Sequence, residues 1–238
     1  MANPTFFATT RWTLVRDAAR GGDTLAAEAM GALARTYWQP LYRYARRKGK
    51  SPEDAEDLVQ GFLAYVIEAR ALDRTDHTKG RFRAFLLASF QHWMINEWKR
   101  ETCAKRGGGE IMLSFDWQSA ETGLHLEPAH DQSPDKLYDR EWALALLEKV
   151  LADLEAACSA EGGTTQFEML KPCLTADSAR IPYAEIAATL GTSEGAARVA
   201  VHRLRKRYRH LLTDEISRTL SSPSAVEEEM RSLFAALA

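Results

Sequence analysis

The feature that most restricts how this chain can fold is the period of its apolar residues. In "KSPEDAEDLVQGFLAYVIEAR" (residues 50–70), Leu58, Phe62, Tyr65 and Val66 recur at steps of three and four, the spacing of one helix face. The stretch opens with Ser51 as N-cap, Pro52 at the first helical position and Asp54 three residues after the cap, which places acids at the positive end of the helix. After the polar segment "DRTDHTKGR" (Asp73 to Arg81), Phe82, Phe85, Leu86, Ser89, Phe90, Trp93 and Met94 repeat the helical spacing up to about Arg100. A second Ser-Pro start, Ser133 and Pro134, introduces a helix with Trp142, Leu146, Leu147, Val150 and Leu154 on one face. Strand-type alternation is almost absent; only "EIMLSFDW" (Glu110 to Trp117) invites an extended reading. The fold class is therefore all-α.

Between the two helical blocks the composition changes. From Ala104 to Asp135 there are three consecutive glycines, then Glu110, Asp116, Glu121, Glu127, Asp131 and Asp135, with no Lys or Arg after Arg106. This is an acidic linker between two small helical domains. No apolar run approaches the ~18 residues of a membrane span, and "MANPTFFATTRW" lacks the basic and apolar segments of an export signal, so a cytoplasmic location without membrane insertion is expected. Cys103, Cys158 and Cys173 are an odd, widely spaced set without a C-x-x-C pair, as expected of reduced packing residues.

One segment departs from the charge balance of the rest. "GTSEGAARVAVHRLRKRYRH" (Gly191 to His210) carries Arg203, Arg205, Lys206, Arg207 and Arg209 and no acid in its last ten positions, in a chain of net charge -2. Upstream of it, "PYAEIAATL" reads as a short helix, Tyr183 to Leu190, followed by a turn at Gly191, Thr192 and Ser193 and a second helix from about Glu194. That is helix-turn-helix spacing, with Ala187 small where the helices cross, Gly191 able to take the left-handed conformation, and Ser193 as cap. Ala197, Val201, Leu204 and Tyr208 form the inward face of the second helix. Arg198, His202, Arg203 and Arg205 then lie opposite, long donors suited to base edges and flanking phosphates in a major groove. Neutralising about four to six phosphates corresponds to a log-log salt slope of roughly -4 to -5.

The helix "RFRAFLLASFQHWMINEWKRETCAKRGGG" adds a second nucleic-acid feature. Its aromatics exceed one inward stripe, and it ends in Lys99, Arg100, Lys105 and Arg106; rings beside cations suit unstacked single strands, although the same rings also serve as core. The order "DAEDLVQGFLAYVI", "FRAFLLASFQHWMINEWKR", acidic linker, "IPYAEIAATLGTSEGAARVAVHRLRKRYR" closely resembles the extracytoplasmic-function group of bacterial sigma-70 family sigma factors, from about Ala26 to Leu212.

The resemblance implies a promoter-specificity subunit of RNA polymerase. Its divisions would be a region 2-like domain over 1–106, the linker over 107–132, a region 4-like domain over 133–212 and an extension over 213–238. Asp54, Asp57, Leu58, Gln60 and Phe62 match the helix that docks on the polymerase clamp coiled coil. His92, Trp93, Asn96, Lys99 and Arg100 match the segment that reads and captures the -10 strand, with His92 standing where the family commonly has Asn. Ser193, Glu194, Arg198, His202 and Arg203 match the -35 recognition helix, with Arg205 and Arg207 expected on phosphates. Core polymerase, through clamp and flap, and promoter DNA are the implied partners, and an anti-sigma factor or other regulator would be a further one. The linker would enter polymerase channels by mimicking nucleic acid.

No catalytic, cofactor or metal motif accompanies these features: H-E-x-x-H, G-x-x-x-x-G-K-[ST] and G-x-S-x-G are absent, and His125 and His130 have no ligand partner nearby, so the chain is expected not to be an enzyme. The competing reading is a helix-turn-helix repressor or activator that binds duplex DNA unaided, which has no need of the Asp54 to Ile67 docking helix. Past the helix-turn-helix, "SPSAVEEEMRSLFAALA" has a capping pair at Ser224 and Glu227 and an apolar stripe of Val226, Met230, Leu233, Phe234 and Leu237. That stripe needs a surface to cover, and its acids suggest the basic C-terminal domain.

Overall fold

The computed structural model describes residues 23–68, 81–101, 116, 120–121, 133–220 and 225–238. Within them the chain forms α1 (Asp23–Arg47), α2 (Pro52–Glu68), α3 (Phe82–Glu101), α4 (Pro134–Ala160), α5 (Thr164–Leu170), α6 (Tyr183–Leu190), α7 (Glu194–Ser217) and α8 (Val226–Leu237), with 3-10 turns at Lys171–Leu174 and Ser178–Arg180. The all-α class holds; among the described residues the extended backbone amounts to an isolated antiparallel bridge between Arg81 and Leu220. The Glu110 to Trp117 stretch lies, apart from Asp116, outside the described residues, as do the Asp73 to Gly80 segment and Ser224. No described helix is long and apolar enough to cross a membrane.

The chain packs as two compact units, 1–145 with 216–238, and 146–215. The first is built on aromatic residues. Tyr37, Tyr42 and Tyr44 of α1, Phe62 of α2, Phe82 and Phe90 of α3, and Tyr138 and Trp142 of α4 are all essentially inaccessible. Tyr37 meets Phe82 edge-on at 5.5 Å, Tyr44 meets Phe90 at 6.4 Å and Tyr138 at 6.2 Å, and Phe62 lies 5.0 Å from Phe90. Such tilted pairs contribute about 0.5–1.5 kcal/mol each beyond their burial. Ser51 caps α2 as its sequence suggests, accepting from the Asp54 amide at 3.1 Å.

Several charged side chains are buried with this core. Glu141 binds Arg43 at 2.6 Å and Arg47 at 3.1 Å. Glu121, from the acidic segment, accepts from Tyr42 at 2.7 Å and takes Arg46 in a fork at 2.6 and 2.9 Å, so at this point the linker is anchored to α1. Burial, reinforced by the Glu121 carboxylate, pushes the Tyr42 phenol well above its ordinary range.

The C-terminal extension takes a different surface from the basic one suggested by its charges. It belongs to the first unit, where the Phe82 amide bonds the Thr219 carbonyl at 3.1 Å and Glu229 receives Arg83 at 2.7 Å and Arg81 at 2.7 Å. The reason is desolvation. Arg83 is 3% exposed, and a guanidinium so placed requires carboxylates; Glu229 and Asp139 supply them while the Trp142 ring lies 4.6 Å beneath. Leu233 of the apolar stripe is fully buried, whereas Phe234 is more than half exposed.

Replacing Glu229 with Ala takes a buried carboxylate from the buried Arg83 guanidinium, so we expect a loss of about 3–5 kcal/mol in denaturant unfolding. Glu228→Ala removes an exposed pair to Arg81 and is expected to cost no more than about 1 kcal/mol. Equal losses in the two variants would contradict this account.

Candidate nucleic-acid and polymerase surfaces

In the second unit the helix-turn-helix follows from local rules. Gly191 ends α6 in the left-handed conformation, φ 61°, and its amide and that of Thr192 return to the last carbonyls of α6. A Cβ at Gly191 would meet no neighbour within 4 Å, so what Gly provides here is backbone freedom, not space. Ser193 then caps α7, accepting from the Ala196 amide at 3.2 Å. Ala187, Ala197, Val201 and Leu204 are buried together with Leu154, Phe167, Leu170, Cys173, Ile181 and Ile186, and Tyr208 is half-buried against them. Burial raises the Cys173 thiol above its ordinary value, with Arg205 opposing.

This packing leaves Glu194, Arg198, His202 and Arg203 on the exposed side of α7. Glu194 and Arg198 form a 2.6 Å ion pair one turn apart, and the Arg198 guanidinium stacks 4.2 Å from the Tyr183 ring. Arg198 is thus held in a defined orientation while remaining exposed; His202 and Arg203 project freely into solvent from the next turn.

Arg205 and Arg207, expected on phosphates, both make contacts within the unit. Arg205 binds the Cys173 carbonyl at 2.7 and 2.9 Å, the Ser178 hydroxyl at 2.7 Å and the Ala176 carbonyl. The 3-10 segment before α6 leaves carbonyls without helical partners, and one guanidinium satisfies several of them. Arg207 forks onto Glu161 at 2.7 and 2.9 Å and holds that carboxyl below its usual range. The signal that the sequence offered, an unbroken run of cations, does not say which of them are consumed internally.

In the first unit, the periodicity of α2 separates two kinds of residue that the polymerase-docking expectation had combined. Leu58 and Phe62 are buried with Ala55, Val59, Leu63 and Val66, and are core, not contact surface. Exposed on the other side are Glu53, Asp54 and Asp57, with Glu56 and Gln60 half-buried beside them and Tyr65 at 41% exposure. Burial and the neighbouring Asp57 and Glu53 raise the Glu56 carboxyl, a mark of how densely acids are set there.

A similar sorting occurs on α3. Phe82, Leu86 and Phe90 face inward, while Ala84, Ala88, His92, Ile95 and Asn96 form the exposed strip. Trp93 is not on it: its ring packs 4.9 Å from Tyr65 and 6.3 Å from Phe62, and its buried indole N–H has no acceptor among the described residues. A Cβ at Gly61 would approach this ring to 3.3 Å, so Gly61 is what lets Trp93 seat against α2. The side chains of Lys99 and Arg100 lie outside the described residues.

The described helices thus present an exposed, partly cationic face on α7 and an acidic strip on α2, and residues 33–103 match the sigma-70 region 2 family. The chain is also 26% identical over 202 residues to the ECF RNA polymerase sigma factor SigE of Mycolicibacterium smegmatis, covering 84% of this chain and 68% of that one. No solved structure matches it. These similarities are to the sigma-70 family, over its region 2, and to an extracytoplasmic-function member of it.

Arg205→Ala is expected to lower the stability of the second unit by about 1–3 kcal/mol in chemical denaturation, since it leaves several part-buried carbonyls unpaired. Arg203→Ala, on an exposed position, is expected to leave the unfolding midpoint within error of the parent.

Proposed function

We propose that the chain binds core RNA polymerase and directs initiation by reading a duplex -35 element with α7 and holding an opened -10 strand on α3. The observation that carries this reading is the division of α7: its inward face is core, and its outward face, from the Ser193 cap through Glu194, Arg198, His202 and Arg203, is the part free to enter a major groove. Arg198 and Arg203 are the bidentate donors suited to guanine; Ser193, at the helix N-terminus, suits a phosphate. The internal use of Arg205 and Arg207 reduces the expected phosphate count, and hence the steepness of the salt dependence, relative to the raw run of cations.

On α3, His92 and Asn96 are one turn apart and exposed, a pair that can hydrogen-bond an unstacked base, with Lys99 and Arg100 following on the same helix to hold the backbone. On α2 the docking residues are Asp54, Asp57 and Gln60, with polymerase's clamp supplying cations; Leu58 and Phe62 contribute by fixing the helix from beneath. Unstacking each promoter base costs a few kcal/mol, and stacking and hydrogen bonding on α3 offset it. Because both DNA elements are held on one polymerase, the second contact is effectively intramolecular, and modest individual affinities suffice. In the acidic linker, the remaining carboxylates are suited to cationic channels of polymerase, starting beyond the Glu121 anchor.

Run-off transcription with core polymerase on a library of bacterial upstream fragments tests the whole reading, which fails if no fragment yields a transcript. Asp54→Asn with Asp57→Asn is expected to weaken core binding strongly while costing no more than about 1 kcal/mol of folding stability. Arg203→Ala is expected to cost about 1–3 kcal/mol of -35 duplex affinity, five-fold or more, and to relax preference at one base pair.

A further inference from the structure

The chain beyond α7 is bound back onto the first unit at the start of α3. Ser217 ends α7, and a turn returns the Thr219 amide to the Ile216 carbonyl at 2.9 Å. Leu220 then forms its antiparallel bridge with Arg81, and the Phe82 amide donates to the Thr219 carbonyl at 3.1 Å. α8 adds side-chain contacts around the same point. Arg81 donates to the Ser232 hydroxyl at 3.1 Å and pairs with Glu228 at 2.9 Å, while Arg83 donates to Ser232 at 2.9 Å beside its pair with Glu229. The apolar share of this contact is small: Leu233 is fully buried, Val226, Met230 and Leu237 are half-buried, and Phe234 is exposed. Ion pairs and hydrogen bonds give such a contact a fixed register without sealing it by apolar burial.

These contacts limit the reach of the chain, whatever orientation the two units take. From Arg198 to Ile216 α7 rises about 27 Å, and from Phe82 to His92 α3 rises about 15 Å. The connection between those helix ends adds little, since a turn closes its ends to under about 7 Å and paired backbones lie about 5 Å apart. Even laid end to end, the backbones at Arg198 and His92 therefore stand no more than about 55 Å apart while the contacts hold. The -35 and -10 elements are named for positions about 25 base pairs apart, roughly 85 Å of duplex at 3.4 Å a step. Two side chains a few bonds long do not bridge the difference, and a duplex far shorter than the ~150 base-pair persistence length resists the bend that would. We propose that α8, with the Thr219–Leu220 bridge before it, is a latch: closed, it limits the chain to one promoter element at a time, and it leaves the start of α3 when the polymerase-bound chain takes both. The latch rests on the -10 and -35 reading given above and is the conformational change that such a reading requires. Its opening does not strand Arg83, because the helix that covers the guanidinium departs together with the Glu229 carboxylate and water replaces both.

The bond from the Phe82 amide to the Thr219 carbonyl makes Arg81 and Leu220 the close, non-hydrogen-bonded pair of their bridge, with Cα atoms about 4.5 Å apart and so within disulfide range. R81C/L220C in the full chain thus allows the latch to be locked by oxidation and freed by reductant in one protein. The variant is oxidised, its crosslink verified on a non-reducing gel, and holoenzyme is reconstituted with core polymerase on a promoter selected by run-off transcription. The crosslinked form is expected to bind that promoter about 100-fold more weakly than the same protein after reduction, the lower end of the gain from linking two contacts. The parent chain, treated identically, is expected to bind equally before and after reduction. Equal promoter binding and equal run-off yield of the crosslinked and reduced forms overturn the latch while leaving the -10 and -35 reading intact. Hydrogen exchange on the parent gives a second readout without any substitution: the amides of Phe82 and α8 are expected to exchange faster in the promoter-bound holoenzyme than in the free chain, and unchanged protection at both overturns the latch. A parent holoenzyme that selects no promoter overturns the underlying reading, and the latch with it.

Discussion

The buried guanidinium of Arg83 is the constraint around which the first unit is organised. A charge this far from water is tolerated only when surrounded by carboxylates and hydrogen-bond acceptors, and those come from distant parts of the chain: Glu229 and Ser232 from α8, Asp139 from α4, with the Trp142 ring below. Arg81, two residues earlier, pairs with the same Glu229. The start of α3 is thereby fixed against two other helices at once. Because α3 is held at its first turn and along its Phe82, Leu86 and Phe90 face, the opposite strip with His92 and Asn96 has a defined orientation without any of its own residues being used for stability.

The same economy governs α7 in the second unit. Its apolar residues Ala197, Val201 and Leu204 are given to the core, Arg205 to the carbonyls of the preceding 3-10 segment, and Arg207 to Glu161. In its first half the polar side chains left outside are Glu194, Arg198, His202 and Arg203, with Lys206, Arg209 and His210 exposed further along. A recognition surface benefits from such separation, since side chains that hold the fold cannot also adapt to a base edge. Arg198 is the intermediate case, oriented by Glu194 and Tyr183 yet exposed, which lowers the entropy lost when it engages a partner.

Acidic residues serve opposite purposes in the linker and on α2. Glu121 is consumed by Arg46 and Tyr42, so part of the acidic segment is a structural anchor. Glu53, Asp54 and Asp57 on α2 stay exposed beside Glu56, whose carboxyl is raised by burial and, after it, by Asp57 and Glu53. Repulsion left in place on a surface is a source of affinity for a cationic partner, which relieves it on binding.

The sequence by itself determined the helical class, the bounds of α6, the start of α7 and the turn between them, because these depend on interactions within a few residues: periodicity, the Ser51 and Ser193 caps, and the positive φ that Gly191 accepts without a Cβ penalty. It did not determine which members of a periodic stripe are reachable. Phe62 and Asp54 lie on one helix, and Arg203 and Arg205 on another, with nothing local to tell a contact from a support. Only the tertiary structure decided that Phe62, Trp93, Arg205 and Arg207 serve the fold and that the C-terminal helix covers Arg83. The physical reason is that burial and charge pairing are set by partners dozens to more than a hundred residues away, which a short-range pattern cannot register.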